Sequence, residues 1–103
     1  MIATLKTLFG LGPKVNYKEL MQEGAVIIDV RSKGEYSNGH IKGSKNFPLD
    51  SLNNHIKELD KSKPVITCCA SGVRSGAAKG LLKSKGFTNV HNGGAWNSLN
   101  NKI

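Results

Sequence analysis

Two apolar runs frame the chain. Residues 25–30 read AVIIDV and residues 64–69 read PVITCC. Continuous apolar stretches of this length suit strands covered on both faces, as in a parallel sheet. Pro64 fits only at the first position of its strand, where a missing N–H does not break the ladder. Shorter strands are expected at 44–47 and 87–90, with residues 15–16 as an added edge. Between these runs the spacing turns helical. Tyr17, Leu20 and Met21 share a face over 17–23, behind Asn16 as N-cap and before Gly24 as a stop. Leu52, Ile56 and Leu59 do so over 52–59, with Ser51 as cap. Ala77, Ala78, Leu81 and Leu82 form a stripe over 75–85 that ends at Gly86. Glycine costs a helix ~1 kcal/mol relative to alanine, so Gly76 and Gly80 within that segment suggest close approach to a sheet. A last short helix over 93–100 carries Trp96 and Leu99. Strands alternating with helices at this spacing predict an α/β fold with a mainly parallel central sheet.

Length and composition narrow the class. The 103 residues fit one domain, and 38% hydrophobic with 21% charged residues argues against disorder and coiled coil. We expect a globular domain over 13–103 and an N-terminal extension over 1–12, where Leu5, Leu8, Phe9 and Leu11 suit a short amphipathic turn. That extension has Lys6 in its middle and no convincing cleavage site, so it does not read as a targeting peptide. No stretch reaches the ~18 apolar residues of a membrane span, and no stable membrane association is expected. The net charge of +8 raises the local concentration of anions without naming one. The lysines are scattered, with no basic block and no basic–aromatic interleaving, so nucleic acid is not the expected partner. The two cysteines are adjacent, which rules out a disulfide scaffold and points to free thiols in a reducing compartment, the cytoplasm. Three scattered histidines and an adjacent cysteine pair lack metal-ligand spacing, and neither metal nor cofactor is expected.

The candidate chemistry lies in residues 67–76, TCCASGVRSG. Active sites of open parallel sheets sit beyond the carboxyl ends of the strands, and Cys69 stands at such an end. Ala70, Ser71 and Gly72 let the backbone curl before a helix that begins near Ser75. A curled loop entering a helix aims several N–H groups inward and makes a nest for negative charge. The same field favours a thiolate at Cys69, and Arg74 offers a planar, multi-donor contact to an oxyanion. Two covalent reactions fit: attack of Cys69 on phosphorus, or on a sulfane sulfur that it then holds as a persulfide. Alternation along the strand turns Cys68 the other way, into the core.

In sequence order, DVR at 29–31, EY at 35–36, GHI at 39–41, GS at 43–44, NFP at 46–48, CASGVRS at 69–75 and NGGAW at 92–96 resemble the single-domain rhodanese family of thiosulfate sulfurtransferase-like proteins. The resemblance implies a three-layer fold whose mainly parallel sheet has about five strands flanked by helices. It implies Cys69 as the persulfide-forming residue, with Ala70, Ser71, Gly72, Val73, Arg74 and Ser75 around the bound sulfur. The donor would be thiosulfate or a persulfide, and the acceptor cyanide, a thiol or a protein. It also weighs against phosphate transfer: cysteine phosphatases with this type of loop carry one more residue between cysteine and arginine than Ala70, Ser71, Gly72 and Val73 supply here. A sulfur carrier or binding module serving a protein partner would have the same loop. Asp29, Arg31 and His40 are supporting residues. Asp29 suits a carboxylate that accepts hydrogen bonds from a neighbouring loop. Arg31 is suited to attracting the donor or to a salt bridge with Glu35 at i,i+4. The resemblance gives His40 a structural hydrogen bond. Residues 92–94 are read as a tight turn beside the loop, and Trp96 as cover for the core or a rim of the pocket.

Overall fold

Four parallel strands in the order β2–β1–β3–β4 form the centre of the computed structural model, which describes residues 15–103. The expected turn over 1–12 lies outside the described residues. The chain runs through helix α1 (Tyr17–Gln22), strand β1 (Val26–Asp29), helix α2 (Lys33–Ser37) and strand β2 (Lys45–Asn46). After two 3-10 turns (Leu49–Asn54 and Ile56–Glu58) come strand β3 (Val65–Cys69), helix α3 (Val73–Ser84), strand β4 (Val90–Ala95) and helix α4 (Trp96–Asn100). No described helix is long and apolar enough to cross a membrane.

The two apolar runs are the two central strands, buried on both faces, and period-2 alternation divides their side chains between two cores. Ile28, Val30, Val65 and Cys69 face the side covered by α3 and the 3-10 turns, together with Leu52, Ala78, Leu82 and Phe87. Ile27, Ile66 and Cys68 face the other side with Ile41 and Leu99, where Tyr17, Leu20 and Trp96 cover them. The three-layer α/β expectation holds, with four strands among the described residues.

Several elements differ from the sequence reading. Asn16 caps α1, its side chain accepting from the Glu19 N–H at 3.0 Å, instead of extending an edge strand with Val15. The segment expected as a helix over 52–59 forms 3-10 turns that start directly after Pro48, and Ser51 caps nothing. Spacings of three and four suit either helix type, and Asp50, Asn53, Asn54 and His55 are weak α-formers. Helix α3 begins two residues early, at Val73. Gly76 meets the predicted close approach, since a Cβ there would lie 3.2 Å from Asn92 Nδ2, whereas Gly80 faces open space.

The largest difference is in β4, which starts at Val90 and runs through the glycine pair. Thr67 pairs with Asn92, but Cys69 pairs with Ala95. Three steps of β4 therefore lie against two of β3, a β-bulge. The bulge needs both glycines: Gly94 has φ +79°, and a Cβ on Gly93 would come within 2.8 Å of Ile66 and Leu99 side-chain carbons.

Candidate functional site

The site gathers at the carboxyl ends of β1, β3 and β4. Strand β3 delivers Cys69 to its last position, and the chain then curls through Ala70 and Ser71, both exposed, to Gly72. Gly72 takes φ +106°, a left-handed conformation that only glycine adopts without strain, and this turns the chain into α3. A Cβ at Gly72 would press against Gly94 Cα at 3.4 Å, so the active loop and the bulge of β4 touch backbone to backbone.

The sulfur of Cys69 is surrounded by donors. The Gly72 N–H donates to Sγ at 2.9 Å and the Ser75 N–H at 3.4 Å, while the Ser75 hydroxyl oxygen lies 3.3 Å away. Burial pushes the thiol up, but the Ser75 hydroxyl, the N–H groups of Ser75 and Gly72, and that of Ser71 outweigh it and bring it below its ordinary value. Cys68, one residue away, has no such ring. Burial and the nearby Asp29 carboxylate push its thiol up to about 12. Both cysteines are free and buried.

The Cys68 thiol carries a pH prediction. Folded protein keeps its proton up to about pH 12, whereas the unfolded chain releases it near the ordinary thiol value of ~8.5. The folded state thus binds more protons in that window, and this contribution to stability declines as pH rises through it. Cys68→Ala should flatten the alkaline decline in urea-unfolding free energy, cost about 1 kcal/mol at neutral pH for the lost buried sulfur, and leave sulfur transfer within about twofold of the parent protein. A large loss of turnover would place Cys68 in the chemistry instead.

The two arginines have different partners from those the sequence suggests. Arg31 does not bridge to the Glu35 carboxylate. Its Nε and Nη2 donate to Asp29 at 2.9 and 2.7 Å, and its remaining donors go to the carbonyls of Glu35 and Gly39. Asp29 is fully buried and also accepts the Arg31 backbone N–H at 3.0 Å. Trp96 lies over this guanidinium, 4.7 Å from ring centroid to Cζ, and closes the second core. Glu35 instead pairs with Arg74: Nη1 donates to Oε1 at 2.7 Å and Nη2 to Oε2 at 2.9 Å, across 39 residues of sequence. Glu35 also completes a capping box with Ser32 at the start of α2. Arg74 and the Ser32 N–H hold its carboxyl at about 2, so the pair stays ionised at neutral pH. The Arg74 guanidinium is thus committed to a carboxylate at the mouth of the loop, although its charge still acts on Cys69. Val73 stands out at the same mouth, 78% exposed. Beside it, a cleft of about 600 Å³ is lined by Val30, Lys33, Pro48, Leu49 and Arg74 among others.

His40 is exposed, stacked on Tyr36 with ring centroids 3.7 Å apart, and its Nδ1 lies 2.7 Å from the Tyr36 carbonyl. No hydrogen bond links it to Cys69 or to the loop residues Ala70 to Ser75. The sequence reading does not single out Asn92, which the structure ties to the loop. Its Oδ1 accepts from the Ser75 hydroxyl at 2.6 Å and from the Gly94 N–H at 3.0 Å, and its Nδ2 donates to the Gly72 carbonyl at 3.0 Å. The available signal is an amide side chain directly before a glycine pair, which the bulge turns toward α3.

Comparison with known proteins agrees with this geometry. Residues 14–98 match the model of the rhodanese-like domain, and the chain belongs to that family. It is 41% identical over 68 residues to the uncharacterized protein YqhL of Bacillus subtilis, covering 66% of this chain and 54% of that protein, so it spans about half of that relative. It is 33% identical to the thiosulfate sulfurtransferase GlpE of Pseudomonas fluorescens, over 77% of this chain and 72% of that enzyme. Among solved structures, a rhodanese with anions from E. coli superposes with a TM-score of 0.67 at 35% identity, covering 71% of this chain and 88% of that one. Reduced Bacillus anthracis CoADR-RHD gives a TM-score of 0.74 at 30% identity, covering 98% of this chain but 18% of the larger one.

Proposed function

We propose that this protein is a sulfurtransferase that carries sulfane sulfur on Cys69. The observation that carries the reading is the ring of N–H and hydroxyl donors around one sulfur at the end of β3. Such a ring stabilises an anion, and both a thiolate and a persulfide are anions. The Cys69 thiolate attacks the outer sulfur of thiosulfate, a new S–S bond forms, and the old S–S bond breaks with its electron pair leaving on sulfite. The terminal sulfur of Cys69–S–S⁻ keeps the negative charge. Cyanide or a thiolate then attacks that terminal sulfur, forming thiocyanate or a new persulfide and returning the Cys69 thiolate. No cofactor takes part in either half-reaction. Ala70, Ser71, Gly72 and Ser75 surround the sulfur, while Val73 and Arg74 form the mouth of the loop. Asp29, Arg31 and His40 hold the surrounding architecture. The diffuse positive charge assists arrival of a dianionic donor. Two free thiols suit a reducing compartment, the cytoplasm.

The test is the intact mass of reduced protein before and after brief exposure to thiosulfate. A gain of one sulfur atom, lost again on adding cyanide, is the expected result. No gain with thiosulfate or with a small-molecule persulfide, in folded protein with free thiols, overturns the reading. The complete burial of Cys69 favours a second form of it, a sulfur carrier that opens fully only on a partner. Slow steady-state turnover with thiosulfate, alongside fast transfer to a protein thiol, distinguishes the carrier from the stand-alone enzyme.

A further inference from the structure

The Ser75 hydroxyl has one proton and two neighbours that can take it. Asn92 Oδ1 lies 2.6 Å away and Cys69 Sγ 3.3 Å away. The amide orientation of Asn92 is fixed from both ends, because Nδ2 donates to the Gly72 carbonyl while Oδ1 accepts the Gly94 N–H. The oxygen must therefore face Ser75. As long as Cys69 is a thiol, it can donate its own proton to the Ser75 oxygen, and Ser75 in turn donates to Asn92. Once the sulfur becomes an anion that arrangement is repulsive, since oxygen lone pairs would face negative charge. Rotation of the hydroxyl turns its proton to the sulfur. Asn92 Oδ1 loses one donor but keeps the Gly94 N–H, so no buried acceptor is left unpaired.

We propose that Asn92 is a positioning residue that governs the direction of the Ser75 hydroxyl, holding its proton while Cys69 is a thiol and releasing it when the sulfur carries charge. The proposal rests on the reading of Cys69 as the reactive thiol and adds to it a residue from a different strand. A neutral acceptor suits this task. A carboxylate at the same place would hold the Ser75 proton about twice as strongly and would not release it to a second anion. Asn92 also ties the Gly72 carbonyl, so one side chain on β4 fixes both the hydroxyl and the turn of the loop that presents the Gly72 N–H to the sulfur. The charged and titratable groups acting on Cys69 are Arg74 from α3 and Cys68 from β3 itself. β1 offers the apolar Ile28 and Val30 on that face, and β4 offers the uncharged stretch from Asn92 to Ala95.

The experiment is a double-mutant cycle read by iodoacetamide alkylation of Cys69 across pH, in the Cys68→Ala background. Each rate is divided by its own high-pH plateau, which removes differences in access. Alkylation needs a thiolate but no sulfur transfer, so failure of the transferase reading leaves this test intact. Asn92→Asp adds a negative charge in any case, and Ser75→Ala shows how much of its effect is simple repulsion. The expected result is that Asn92→Asp lowers the normalised rate at pH 7 about tenfold more when Ser75 is present than in the Ser75→Ala background, which corresponds to a displacement of the thiol midpoint by about one pH unit. Equal slowing in the two backgrounds, or none in either, overturns the proposal. Should Asn92→Asp fail to fold, the unsubstituted protein gives the answer by NMR. The ¹³C shift of the Asn92 side-chain carbonyl should follow the ionisation of Cys69 and stop following it in Ser75→Ala. A carbonyl shift that ignores Cys69 ionisation overturns the proposal equally.

Discussion

Replacing Cys69 by serine is expected to remove sulfur uptake from thiosulfate entirely, with no gain in mass and no thiocyanate above the rate in buffer. Serine fits the same space and keeps a hydrogen-bonding atom under the Gly72 N–H, so thermal unfolding should shift by no more than about 1 kcal/mol equivalent. What disappears is the chemistry. The donors around Cys69 bring a thiol below its ordinary value, but a hydroxyl starts far above that range, and its oxygen does not exchange sulfane sulfur. The result is decisive because the other cysteine is in a different environment: Cys68 faces the opposite core with a thiol at about 12 and is almost never a thiolate at neutral pH. Uptake that survives in Cys69→Ser protein would move the sulfur to Cys68 and sink the assignment of the loop.

The largest stability effect is expected at Asp29. Its carboxylate is fully buried, and Arg31, also buried, meets it through two side-chain nitrogens and a backbone N–H. Asp29→Ala leaves the guanidinium with the carbonyls of Glu35 and Gly39 and the face of Trp96, but without a counter-charge. Breaking one side of a buried pair costs about 3–5 kcal/mol, against a total of about 5–15 kcal/mol for a domain of this kind. Urea unfolding should show stability lowered by that amount, with Asp29→Asn intermediate because it retains acceptors. A loss below about 1 kcal/mol would mean that Arg31 reaches water or another anion when Asp29 is gone.

Both effects sit at places the sequence discloses to different degrees. The strands of AVIIDV and PVITCC are legible because burial on both faces requires a continuous apolar run. The reactive loop is legible because strand, cysteine, small residues and helix follow one another without a break. The arginine pairings are hidden. Arg31 has acidic residues at i−2 and i+4, and the sequence does not say which is turned toward it. The Arg74–Glu35 contact joins residues 39 apart, which no local pattern reports. Asn92 is hidden for a different reason: two glycines normally signal the end of a strand, and here they lie within one. The 3-10 turns after Pro48 look like an α-helix because three apolar positions cannot separate a period of 3.0 from one of 3.6.

The bulge in β4 also fixes the phase of everything after it. Side chains alternate along a strand with a period of two, so removing one residue exchanges the two faces. A chain with a single glycine between Asn92 and Ala95 would be free to pair in simple register with β3, and Ala95 would arrive one step early. Trp96 would then point away from Arg31, and α4 would start on the wrong side of the sheet, with Leu99 outside the core it now fills. The count of residues between Asn92 and Trp96 is therefore a length constraint on the C-terminal segment. Any exchange of this strand with that of another protein must preserve the number of residues in the turn before it considers their identity.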